Sequence, residues 1–152
     1  MARSPSPAAL LGTVLVLACA ALAVESADPT VDALKDKLAH ASVSDQPGIC
    51  IQIAHLQMNE ASKALTENAP EQAVASLNDV AQYSEQAGDA AIKARSHEKQ
   101  TEISVRRLIH RLTDMKRGAI QEDQAAIQST IDRLERVRDS LLGAMFPQHP
   151  PK

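Results

Sequence analysis

Aromatic side chains are nearly missing from this 152-residue chain: Tyr83 and Phe146 are the only two, and there is no tryptophan. Aromatic residues usually supply the largest burial terms. Their scarcity requires a core of Leu, Ile, Val, Met and Ala, which suits helices that approach closely and suits a ligand-gripping pocket poorly. Alternating β-branched segments are also lacking. The one hint, Ile49-Cys50-Ile51-Gln52-Ile53, is short and runs straight into a helical pattern. Cysteine is limited to Cys19 and Cys50. If Cys19 is removed with a leader, Cys50 stands alone and no intramolecular disulfide can form. Cys50 lies on the apolar side of its segment, which favours a core thiol over one used between chains.

Local catalytic motifs are missing as well. Di-iron helical bundles need Glu-x-x-His on facing helices. The residues three before His40, His55, His97 and His110 are Lys37, Gln52, Ala94 and Arg107. There is no His-Glu-x-x-His for zinc, no Cys-x-x-Cys-His for haem attachment and no glycine-rich phosphate loop. No serine sits in a nucleophile-elbow context. His55 and Met58 could gather a soft metal, but two ligands one turn apart read better as a partly exposed polar pair. The expectation is a non-enzymatic protein without catalytic, metal or cofactor residues.

What the chain does have is a long helical seam. Ala73, Leu77, Val80, Ser84, Ala87, Ala91, Ala94, Glu98, Thr101, Val105, Leu108, Leu112 and Met115 alternate spacings of three and four. That period is helical, and the seam predicts one helix over about 70–117, about 70 Å long at 1.5 Å per residue. Gly88 is its one weak point, but the seam keeps its phase across it. Three further helices are predicted, at about 29–41, 49–66 and 124–145, giving an all-α, elongated bundle over 24–146. Asp28-Pro29 resembles a cap followed by a first-turn proline. Ser42 to Gly48 form a linker, and Asn68 and Pro70 mark the next boundary. Lys116-Arg117-Gly118 is a helix stop, Asp123 a candidate cap, and 147–152 a disordered tail.

Residues 1–23 predict a secretory signal peptide: Arg3, an uncharged apolar run from Ala8 to Ala23, and the small-x-small site Ala21-Leu22-Ala23. The run is shorter than the ~20 residues a membrane helix needs. No membrane span is expected after cleavage, and the location is periplasmic or extracellular. Val16-Leu17-Ala18-Cys19 also resembles a bacterial lipobox, so a lipid anchor at Cys19 is the alternative.

Charge is uneven. Residues 24–92 carry eleven acids against three bases, whereas 93–118 carry eight bases against three acids. The basic stretch includes Arg106-Arg107, His110 and Arg111, an anion-binding face in principle. Without aromatics for base stacking, nucleic acid is not the expected partner. A solvated face, paired with the chain's own or a partner's acids, is the preferred reading.

Residues 61–83 resemble one tetratricopeptide-type helical hairpin. Ala61, Ala73, Leu77 and Val80 match small and large positions of that family, its bulky aromatic positions are unmatched, and no second copy is recognisable. The chain as a whole resembles uncharacterised secreted bacterial all-helical proteins. Leu65-Thr66 and Leu112-Thr113 each begin the Leu-Thr-x-x-Gln mark of periplasmic helical stress chaperones, but both lack the final glutamine.

In the predicted layout, the last helix pairs only with the second half of the long one. Val105, Leu108, Leu112, Ile127, Ile131, Leu134 and Leu141 then exceed what two helices can hide. Burial of each is worth roughly 1.5–3 kcal/mol, so the surplus predicts a homodimer or capture of a partner helix through this face. A compact monomer, bent near Gly88, is the competing structure. The leading expectation is a protein-interaction or structural module acting through an apolar coiled-coil-like face. The alternatives are a periplasmic chaperone or stress sensor, and a small metal-binding or hydrolytic helical protein.

Overall fold

The computed structural model describes residues 29–147, and within them the chain is all-helical. The predicted signal peptide, the Cys19 anchor site and residues 148–152 lie outside the described residues. Five helices follow in order: α1 (Val31–Ala39), α2 (Gln46–Thr66), α3 (Pro70–Ala94), α4 (Glu98–Gly118) and α5 (Gln121–Met145).

The boundaries follow local chemistry. Thr30 caps α1, its hydroxyl accepting from the Ala33 amide at 3.3 Å; Asp28, the expected cap, lies outside the described residues. α2 begins three residues before its predicted start and takes Pro47 and Gly48 into its first turn. First-turn amides have no intrahelical acceptor, so proline loses nothing there. Asn68 ends α2 rather than starting α3. It takes a left-handed conformation (φ 58°), while Ala69 N donates to Ala64 O at 2.8 Å. Asparagine tolerates that conformation better than most residues do. Pro70 then opens α3. Asp123 lies inside the first turn of α5 rather than capping it.

The single helix predicted over 70–117 is two helices. The helix is continuous through Gly88 but stops after Ala94, and Arg95 and His97 both adopt left-handed backbone (φ 49° and 61°). Arg95 N donates to Ile92 O at 3.2 Å and Ser96 N to Ala91 O at 3.1 Å, closing α3 as Ala69 and Asn68 close α2. Each left-handed non-glycine residue costs roughly 1–2 kcal/mol, and the buried Ser96 hydroxyl has no partner among the described residues. Against this stands the stripe on α4 and α5. Seven large apolar side chains, each worth roughly 1.5–3 kcal/mol when buried, gain a second hairpin to pack on only if α4 turns back. The packing term is the larger, and the chain breaks without a glycine or proline to announce it. Arg95→Gly removes the steric cost at one of the two positions. It is expected to raise stability by about 1 kcal/mol in urea unfolding; a loss of stability would show that the arginine side chain itself holds the turn.

The result is two antiparallel hairpins, α2–α3 and α4–α5, stacked side by side. Helices α2 and α4 have 21 residues each, and α3 and α5 have 25 each, so the two hairpins match in reach. Arg111 on α4 meets Asn59 on α2, and Arg133 on α5 meets Glu85 on α3. Ser62 and Leu65 share a hollow with Met115 and Gly118, whereas Gly48 and Gln52 share one with Gln100 and Ser104. These contacts run α2 parallel to α4, and α3 parallel to α5, with α2 and α5 on the diagonal. α1 covers the outer side of the first hairpin. Leu34 packs there with Ile49 and Ile53, and the Lys35 ammonium lies 5.9 Å from the centre of the Tyr83 ring. The segment 61–83 therefore does lie in an antiparallel hairpin, and a second hairpin follows it without a matching sequence.

The buried side of α3 is built from small residues, among them Ala73, Ala81, Ser84, Ala87, Gly88 and Ala91. They let α2 and α5 approach it from two directions. The Ser84 hydroxyl is satisfied within the helix by the Val80 carbonyl at 2.7 Å. The middle of the predicted seam, thin in apolar bulk, is thus where α5 approaches closely: Gly88 faces Val137 with no room for a Cβ.

Candidate interaction surfaces

The seven residues expected to form an exposed apolar face are core residues. Val105, Leu108 and Leu112 on α4, and Ile127, Leu134 and Leu141 on α5, are 0% exposed, and Ile131 is 5% exposed. They form one cluster with Ala54, Met58, Ala61, Leu77 and Val80 of the other hairpin. The correction has a simple cause. The surplus existed only while α4 continued straight on from α3; once it folds back, the first hairpin covers the stripe. The case for a homodimer through these residues goes with it.

Titratable groups tie helices together. Glu85 accepts from Arg133 Nε at 2.8 Å and from Arg133 Nη2 at 2.7 Å, a bidentate pair linking α3 to α5. The Arg133 hydrogen bonds hold the Glu85 carboxyl below the usual range, against a smaller opposing effect of burial. Glu102, with a side chain only 10% exposed, lies 3.0 Å from Arg138 Nε on α5 and 3.6 Å from Arg106 Nε on its own helix. Cys50 is fully buried, and burial pushes its thiol up to about 11. It therefore stays protonated and inert, a small hydrophobe in the core. His55 is half-buried while Met58 is fully buried, so the two do not present a shared ligand set. Among the described residues, no three of His, Cys, Asp and Glu gather as a metal site would require.

Two surfaces stand out beside the lone Phe146, which caps the end of α5 and is 70% exposed. One lies at the end of the stack where the turns 67–69 and 119–120 meet. Ile120 is 56% exposed and Val74 42%. Ile120 borders two adjoining hollows of about 250 and 290 Å³. Leu65, Met115 and Ala119 line the first, and Leu65, Pro70, Val74 and Ala126 the second, with polar Asn68 and Asp123 bordering both. The heptad pattern misses Ile120 because it falls in a turn; an apolar residue between a helix stop and the next helix was the available signal.

The other surface is polar and lies along α2 and α4. Of the basic residues singled out in sequence, Arg106 is paired with Glu102, and Arg117 with Asp114 at 2.9 Å. Arg107 and Arg111 are exposed and have no carboxylate partner among the described residues. His110 is exposed as well. Opposite them on α2 are His55 and Asn59, which nothing in the sequence could pair with α4.

Comparison with known protein families, with curated proteins and with solved structures gives no match. Among the described residues, no helix is long and apolar enough to cross a membrane.

Proposed function

We propose that this chain is a non-enzymatic, exported helical module that joins to a partner protein, or to a second copy of itself, through the apolar end of its bundle. The observation that supports this most directly is Ile120. The fold buries its long apolar stripe, yet it leaves this isoleucine more than half exposed, between two hollows whose linings mix apolar side chains with polar ones, Asn68 and Asp123 among both. Covering such a side chain is favourable at about 25 cal/mol per Å² of apolar surface removed from water. A partner side chain seated beside Ile120 and Val74 would do that. Export rests on the charge and apolar pattern of residues 1–23.

The test is photo-crosslinking from position 120. Benzoylphenylalanine placed there in the full chain, and irradiated in an envelope extract, is expected to give a discrete adduct that Val74→Asp removes. Purified protein giving an adduct of twice the chain's mass would identify the partner as a second copy. No adduct, or equal adducts from the solvated position 139 on α5, would overturn the reading.

A further inference from the structure

The α2–α4 surface carries a second site, independent of the apolar end. An interhelical hydrogen bond sets the register of these parallel helices: Arg111 Nη2 donates to Asn59 Oδ1 at 2.9 Å. One turn earlier on each helix, the same register sets His55 opposite Arg107. One turn earlier again, Gln52 and Ser104 line a hollow of about 400 Å³ together with Gln100 and Thr101. The donors that recur are those of two successive turns, His55 with Arg107 and Asn59 with Arg111; at the hollow, Ser104 Oγ already donates to the Gln100 carbonyl at 3.0 Å and Asp45 contributes a carboxylate.

Three carboxylates are engaged by arginines, whereas Asp45, which borders the hollow at the start of α2 and accepts from Ser42 Oγ at 2.6 Å, and Glu60, next to Asn59, have no basic partner among the described residues. Glu102 is held by Arg138 and Arg106, Glu85 by Arg133, and Asp114, one turn beyond Arg111, by Arg117. Arg107 and Arg111 stand one turn apart on α4, where like charges repel. His55 feels the same field: burial first, then Arg111 and Arg107, hold its pKa below the ordinary histidine value. The chain's net charge is −3, so this local excess of positive charge runs against the molecule's average.

We propose that His55, Asn59, Arg107 and Arg111 bind the carboxylates of an acidic protein segment laid along the α2–α4 surface. Charge complementarity selects the anion. The layout selects a segment over a small free oxyanion: Asn59, Arg107 and Arg111 are exposed, His55 is half-buried, and the donors are strung along the helices at intervals of roughly 5–6 Å, rather than converging on one point. Carboxylates one helical turn apart on a partner have the same spacing. The two arginines supply charge-assisted hydrogen bonds, the Asn59 amide NH₂ a neutral one, and the imidazole a donor that strengthens once it is protonated.

The test is an NMR titration of the full chain with a synthetic glutamate-rich peptide, following the His55 ring. Inorganic phosphate and the matching glutamine-rich peptide serve as comparisons. Saturable movement of the His55 resonances is expected with the glutamate peptide only. The His55 pKa should rise on binding, because a nearby anion favours imidazolium, and affinity should fall with salt. Arg107→Gln with Arg111→Gln is expected to weaken binding about tenfold or more. Lys93→Gln with Arg136→Gln, which removes the same charge from exposed positions on α3 and α5, should leave affinity unchanged. An unmoved His55 resonance, or an equal loss in both double variants, would overturn the proposal. Phosphate binding without peptide binding would overturn the choice of ligand. Neither result bears on crosslinking at position 120, so the two readings can fail separately.

Discussion

Leu134→Ala is expected to lower the unfolding free energy by about 2–5 kcal/mol. The side chain is fully buried on α5 and belongs to the cluster that both hairpins share. Its removal loses transfer free energy and leaves a space that stiff helices cannot close. Leu112→Ala on α4, also fully buried, should behave alike. These two substitutions separate a core stripe from a partner-facing one. Truncating a solvent-exposed leucine changes the stability of an isolated chain by no more than about 0.5 kcal/mol; the loss would appear in partner binding instead. Urea unfolding of the full chain, followed by helical circular dichroism, decides between them. Unchanged midpoints for both variants would return the stripe to the surface.

Gly88→Ala is expected to destabilise the protein, although alanine is the better helix former. A Cβ on Gly88 would lie 2.7 Å from Val137 Cγ1. Valine in a helix has essentially one side-chain rotamer, so the methyl cannot swing aside. Overpacking costs about 1–3 kcal/mol, against a helix-propensity gain of about 1 kcal/mol, leaving a net loss of up to about 2 kcal/mol. The decisive measurement is the same substitution in a Val137→Ala background. There the obstructing methyl is gone, and Gly88→Ala should stabilise by close to about 1 kcal/mol. A sign change between the two backgrounds identifies Gly88 as the contact point of α3 and α5. The same loss in both would mean that the close approach is not what makes the glycine necessary.

These two sites show how the sequence can be read correctly in its pattern and wrongly in its geometry. The residues of the stripe are recognisable from spacing alone, because spacings of three and four place side chains on one face of a helix whatever lies opposite. What lies opposite is a long-range property. Gly88 read as a weakness in an isolated helix, and it is a weakness there. Its purpose is visible only when Val137, 49 residues further on, is brought against it. Ile120 and the quartet of His55, Asn59, Arg107 and Arg111 were hidden for the same reason. Each becomes a surface feature through residues distant in sequence, and a basic run on α4 reveals nothing of the helix beside it.

The amino-acid sequence by itself determined the class of the protein: all helical, almost free of aromatic packing, with α2, the end of α4 and most of α5 near their predicted positions. Helix propensity, apolar period and stop signals such as Lys116-Arg117-Gly118 act over a few residues, and so they can be read there. Only the tertiary structure decided that the predicted long helix ends at Ala94. No local signal marks that break; Arg95 and His97 accept unfavourable left-handed backbone because folding back buries the stripe of α4 and α5 against the first hairpin. The gain is summed over many side chains distant in sequence, and its sign is set by packing rather than by any residue at the turn.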